Sequence, residues 1–300
     1  MEYFLELFFS GLTRGSIYAL LALGYTMVYG IIALINFAHG EIYMIGAFTA
    51  LIAASVLALL GISGVSLLIL AGAIAVIYAA SYGYTVEKIA YKPLRDAPRL
   101  SPLISAIGMS IFLQNYVLLA QTSDFVSFPQ LIPDFAFMEG FRSFMQPSDL
   151  VIISTTTVIM VLLTIFIKFT KIGKAMRATA QDKTMAMLLG VNVDRVISVT
   201  FITGSALAAV GGILISSHVG QINFYIGFIA GLKAFTAAVL GGIGSIPGAV
   251  LGAMILGCTE SFAAGYISSD YEDVFAFGLL VLILIFKPTG LLGKKTSEKV

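Results

Sequence analysis

The chain has 300 residues, of which 59% are hydrophobic and only 11% charged, with a formal net charge of +1. A soluble domain carries about 25% charged residues, so this chain has too little polar surface to face water on every side and needs lipid as its solvent. The near-neutral balance excludes a nucleic-acid partner. The single cysteine, Cys258, excludes an intrachain disulfide and is expected to serve in small-residue packing.

A helix needs about 20 residues to cross the hydrocarbon core. The N-terminus lacks the basic start and small-residue cleavage site of a secretory signal, so the first long apolar helix is expected to direct insertion. Residues 15–35 predict one span. Residues 42–86 predict two, turning near 61–64. Residues 100–123, 150–167 and 196–217 predict one each, and 271–286 the last. The stretch 224–262 is too long for one span, and four glycines and Pro247 interrupt it within residues 241–248. Such a run breaks a helix and predicts two short helices or a re-entrant pair. The runs exceed any strand and do not alternate, and helices satisfy their own backbone groups in lipid. The fold class expected is all-α: one polytopic transmembrane bundle over residues 1–300, with about eight membrane segments (range about 8–10).

Basic residues orient the chain. Lys88, Lys92, Arg95 and Arg99 form one cluster. Lys168, Lys171, Lys174, Arg177, Lys183 and Arg195 form a second, and Lys287, Lys294, Lys295 and Lys299 a third. Together they hold 14 of the 17 basic residues. They predict cytoplasmic segments at about 84–99, 168–195 and 287–300. Residues 122–149, with Arg142 and four acids, are expected outside, as are Asp270, Glu272 and Asp273. Between Arg195 and Lys287 the crossings are then even in number. Three crossings before Lys88 put the N-terminus outside, although the first dozen residues and Arg14 leave room for an extra interfacial turn.

A second interruption, at residues 35–41, lies about as far before a basic segment as the break near Gly244 does. Broken helices at matching places in two halves point to a transport pathway. The order of the motifs leaves open whether such halves are inverted. Asn36, His39 and Glu41 flank the first break, and Gly242, Gly244 and Pro247 lie in the second. Ionisable groups at membrane depth cost roughly 2.5–3.5 kcal/mol or more and face a cavity, a partner or the interface. Two placements are open for the first set: along a solute path, or at a headgroup-level turn with Glu41 capping the next helix. Lys233, isolated in an apolar stretch, either neutralises a carboxylate such as Glu260 or snorkels to the interface. Gln114 and Asn115 are expected to hydrogen-bond between helices.

In the second basic segment, residues 175–189 favour helix. Met176, Ala180, Met187 and Leu188 form an apolar stripe, and Gly190 stops the helix. Such a helix fits a groove on another protein or lies on the membrane surface. The phosphate-loop pattern is missing: at Gly293-Lys294-Lys295-Thr296 no hydroxyl follows the first lysine, and Pro288 stands where the first glycine belongs. No dinucleotide fingerprint or paired-histidine metal motif occurs. No cofactor is therefore expected on this chain, and energy from ATP must come through a partner.

Three stretches resemble one family. Gly24-Tyr-Thr-Met-Val-Tyr-Gly30, continuing through Ile35-Asn-Phe-Ala-His-Gly-Glu41, resembles the first-half signature of branched-chain amino acid ABC transporter permeases of the LivH type. Arg177-Ala-Thr-Ala-Gln-Asp182 through Gly190-Val191 resembles their coupling loop, and Lys233 through Gly248 their second-half signature. The resemblance implies a multi-pass subunit of a bacterial inner membrane, paired with a second, related permease. It also implies two cytoplasmic ATPases using ATP and Mg, and an extracytoplasmic protein delivering leucine, isoleucine or valine. The chain itself would not be an enzyme. Ala175, Ala180, Asp182, Ala186, Met187, Leu188 and Gly190 would then serve ATPase coupling. Asp182 and Ala186 depart from the Glu-Ala-Ala form of other importers. Two rival readings are a permease for urea, short amides or another amino acid, and an ion-coupled secondary transporter. The latter would call for more intramembrane acids than Glu41 and Glu260.

Overall fold

The computed structural model describes residues 2–95, 97–98, 100–132 and 145–293. The helices are α1 (Glu2–Ile32), α2 (His39–Leu59), α3 (Gly64–Val86), α4 (Leu100–Ala120), α5 (Pro147–Phe169) and α6 (Lys171–Gln181). They continue with α7 (Lys183–Leu188), α8 (Val193–Val219), α9 (Ile226–Gly241), α10 (Ile246–Tyr266) and α11 (Glu272–Phe286). Helical turns extend α3 to Leu94. The strands β1 (Val126–Ser127) and β2 (Gln221–Ile222) form a two-residue antiparallel ladder. Seven helices are long and apolar enough to cross a membrane. The apolar α9 and α11 are shorter, at 16 and 15 residues. The expected all-α bundle is therefore found, with nine apolar helices among the described residues.

Two details differ from expectation. No interfacial turn precedes the first span. Instead α1 is helical from Glu2, and Arg14 is tolerated inside it because Glu272 of α11 lies 2.7 Å away. In the second interruption only α9 is short, whereas α10 runs 21 residues. Pro247 sits in the first turn of α10, where no backbone N–H is needed. The Ser245 hydroxyl accepts from the Gly248 N–H, and Gly242 and Gly244 take the positive φ angles of the turn.

The helices alternate between two ends. At one, Tyr3 meets Gly265, Thr13 meets Asp149, and β1 meets β2. At the other, Tyr91 meets Ile35, Arg95 meets Asp194, and Leu291 meets Leu240. The described basic residues of all three segments share this second end. Arg99, Arg142, Lys294, Lys295 and Lys299 lie outside the described residues. Four helices, α8 to α11, separate Arg195 from Lys287, as parity required. The triplet α1–break–α2–α3 and the triplet α9–break–α10–α11 run in the same sense.

Helix contact rests on small residues. Without a hydrophobic driving force in lipid, close backbone packing holds helices together, and small residues four apart permit it. Gly11 and Gly15 of α1 lie against Gly257, Cys258 and Met254 of α10. Gly248 and Gly252 of α10 lie against Gly241 and Ala237 of α9, and Gly227 and Gly231 of α9 against Gly40 of α2. Around these contacts Leu20, Leu21, Tyr43 and Phe201 are fully buried. Gly257→Leu should lower thermal stability in detergent by the equivalent of about 1–3 kcal/mol or more, because its side chain would meet the α1 backbone. Leu251→Ala, on an exposed face of the same helix, should leave the melting curve unchanged.

Candidate functional site

The first helix break is built into the interior. Ala33, at φ +54°, is the one non-glycine residue with positive φ among the described residues, and it ends α1. The chain runs irregularly to His39, where α2 begins without a side-chain cap. Asn36, His39 and Glu41 are each 1% exposed. Glu41 does not cap α2. Glu41 Oε1 instead accepts a hydrogen bond from Ser110 of α4 at 3.1 Å. Its Oε2 has no partner, and neither do His39 Nε2 and Asn36 Nδ2. Asn36 Oδ1 accepts from the Tyr91 hydroxyl at 3.0 Å. The His39 ring stands edge-on to Tyr25 at 4.8 Å, in space that a side chain at Gly24 would fill.

Next to this group lies a cleft of about 260 Å³ between α4 and α9, lined by Tyr25, Phe37, Ser110, Gln114, Phe228 and Phe235 among others. Gly242, Gly244 and Pro247 have a different neighbourhood. Gly242 packs on Gly290 and Gly293, while Gly244 borders a groove shared with Gly30, Met176 and Arg177. The two sets of candidate pathway residues therefore do not form one site.

The second basic segment is two helices, not one. The Asp182 carboxylate accepts from the Met185 N–H at 3.0 Å and starts α7 afresh. Gly190, at φ +82°, ends it as expected. The break divides the expected stripe. Met176 and Ala186 turn inward at 3% and 2% exposure, and Ala175 is half-buried. Ala180 is exposed at the groove. Met185, Met187, Leu188 and Leu189 face outward, all more than half exposed. Lys183 reaches back to the carbonyl of Ile32, the last residue of α1, at 3.4 Å. Burial, then the nearby Arg95 charge, lowers its ammonium pKa from the ordinary lysine value.

Lys233 does not snorkel; its side chain is 7% exposed. Its Nζ lies 2.7 Å from Asp273, 3.3 Å from Glu260 and 3.5 Å from Glu272. Tyr18 donates to Glu260 at 2.7 Å. With Arg14 on Glu272, this network ties α1, α9, α10 and α11 together. Arg14, at the edge of the first apolar run, and Lys233 and Glu260, both in the stretch 224–262, were the available signal, since charges in lipid must find one another. Gln114 and Asn115 make no interhelical bond: Asn115 donates to Ile111 of its own helix, and Gln114 Nε2 has no partner. Among the described residues no three His, Cys, Asp or Glu side chains gather into a metal-holding group.

Removing one member of a buried ion pair leaves an uncompensated charge, at a cost of about 3–5 kcal/mol. Lys233→Met should lower the unfolding temperature of the detergent-solubilised protein accordingly. Lys233→Met combined with Glu260→Leu should recover part of that loss.

Nine apolar helices, basic residues gathered at one end and polar groups buried beside a helix break define a multi-pass membrane transport protein. Residues 7–284 match the family described as branched-chain amino acid transport system / permease component. The chain is 52% identical over 302 residues to the high-affinity branched-chain amino acid transport system permease protein LivH of Salmonella typhimurium, covering 99% of this chain and 98% of that protein. Its identity to LivH of Escherichia coli K12 is 51% over the same shares, and to BraD of Pseudomonas aeruginosa 52% over 305 residues, again covering 99% and 98%. The chain belongs to this permease family, as the three resembling stretches implied. It is a transport subunit of the inner membrane.

Proposed function

We propose that this chain is the membrane-spanning half of an ATP-driven importer for leucine, isoleucine and valine. The observation that carries the reading is identity of about one half, along the whole length, to permeases named for branched-chain amino acids. The chain forms a single domain over residues 1–300 and pairs with a second, homologous permease, most simply as a heterodimer. Segments 84–99, 168–195 and 287–300 face the cytoplasm. An extracytoplasmic protein delivers the solute at the end opposite the basic segments. The chain binds no cofactor, and ATP and Mg act in two partner ATPases. Direction comes from the partners, whose nucleotide states favour one permease conformation over another.

The ATPases dock on α6–α7, where Met187 and Leu188 supply the exposed apolar contact. Asp182 and Gly190 shape that helix, and Ala175, Ala180 and Ala186 seat it. Asn36, His39 and Glu41 lie on the solute path. Gly242, Gly244 and Pro247 form a flexible joint at its cytoplasmic end.

The test is copurification with the products of neighbouring genes, followed by uptake in proteoliposomes. ATP-dependent uptake of leucine, competed by valine and isoleucine, is expected. Preference for urea or short amides would reassign the substrate, and uptake without the ATPases would replace the reading by an ion-coupled transporter. Leu188→Asp should abolish ATPase association while the permease still inserts, since Leu188 is 76% exposed. Lys183→Met should leave the ATPases bound and hydrolysing but lower the uptake per ATP, because it cuts the contact to Ile32.

A further inference from the structure

We infer that the cleft between α4 and α9 is the resting place of an aliphatic α-amino acid inside the permease, with Glu41 holding its ammonium group. This rests on the importer reading above. Glu41 is 1% exposed, yet only one of its two oxygens is engaged. Among the described residues no Lys, Arg or His nitrogen pairs with it, although Glu87 and Glu260, equally buried, both have cations at hand. A buried carboxylate without a counter-charge is costly, and a ligand's ammonium group supplies one. Glu41 lies directly behind the cleft wall, which Ser110, bonded to its other oxygen, and Gly227 both form; the wall is thin at Gly227, where a Cβ would stand 2.8 Å from the buried Oε2.

The rest of the cleft suits the other parts of such a solute. Gln114 Nε2 is a buried donor with no acceptor, which matches a carboxylate. Phe37, Phe228, Phe235 and Ile111 line the space with apolar surface for an alkyl side chain. About 260 Å³ lies just below the range of about 300–1,000 Å³ usual for drug-sized ligands, which fits a single amino acid. An acidic side chain would be repelled by Glu41. The outer cavity beside Arg14 and Lys233 fits less well, because its cations are already committed to Glu272, Glu260 and Asp273.

The experiment uses the assembled complex, with its ATPases and binding protein, in proteoliposomes. Photo-leucine, a diazirine analogue of leucine, is loaded, irradiated and located by mass spectrometry. Label is expected on the cleft faces of α4 and α9. Loss of a charge-assisted hydrogen bond should lower labelling and uptake about tenfold or more in Glu41→Gln. If that variant fails to assemble, Ile111→Trp, at a half-exposed position on the cleft rim, provides the same test: it should fill the space and abolish labelling with unchanged thermal stability. Normal leucine uptake with label around Tyr18 and Lys233, or with no label in the cleft, would overturn the site alone. So would full labelling in Glu41→Gln or Ile111→Trp. Absence of leucine uptake by the unaltered complex would instead sink the importer reading, and the site with it.

Discussion

The contact of Gly227 and Gly231 with Gly40 governs the interior. It brings the α9 backbone onto the first turn of α2, closer than any side chain would allow. That closeness puts His39 against Tyr25 and Glu41 behind the α4–α9 cleft. In water such a joint would be held shut by the hydrophobic effect. In lipid the tails compete equally for apolar side chains, so only close backbone packing favours helix on helix. The same device seats α10 against α1 and α9, which leaves α1 enclosed along most of its length.

Enclosure makes every charge in the bundle a separate problem, and the chain solves these problems unequally. Glu87 is fully buried, but Arg95, Lys88 and the Ser198 hydroxyl surround it. Glu260 has Lys233 and Tyr18. Each group cements helices that are distant in sequence, and each is closed, with attraction offsetting desolvation. Glu41 has a serine on one oxygen and nothing on the other. Of these three carboxylates only Glu41 has no cation beside it, and it lies behind the wall of the α4–α9 cleft.

Much of this was legible in the sequence, for physical reasons. Span lengths follow from bilayer thickness, and the shared end of the basic segments follows from their charge. What escaped depended on pairing across the bundle. Arg14 reads as a reason to end a membrane helix until Glu272 is seen beside it. Lys233 reads either as a partner for Glu260 or as a snorkelling end, and only the fold adds Glu272 and Asp273 of α11 to the group around it. Asp182 has the composition of a helix interior but the geometry of a cap, because its carboxylate competes for the Met185 N–H. That one hydrogen bond separates α6 from α7 and turns Met187 outward while Met176 faces in. The glycine pairs four apart were visible all along, and only their partners were hidden.

The basic end connects these parts. Residues 33–38 form no regular hydrogen-bonded structure, and Ala33 holds a backbone conformation that L-residues seldom adopt. Such a segment has little stability of its own; Tyr91 grips it at Ile35 and Asn36, and Lys183 holds Ile32 just before it, at the end of α1. Single hydrogen bonds are worth about 0.5–1.5 kcal/mol net, so neither grip locks the break. Each can shift its balance. Lys183 belongs to α7, the same short helix that presents Met187 and Leu188 to solvent. That exposed face is therefore joined to the carbonyl end of α1 through one side chain. The break follows along the chain, and after it the first turn of α2, where His39 and Glu41 stand. Small steps joined in this way let the break shift without the loss of any one large interaction.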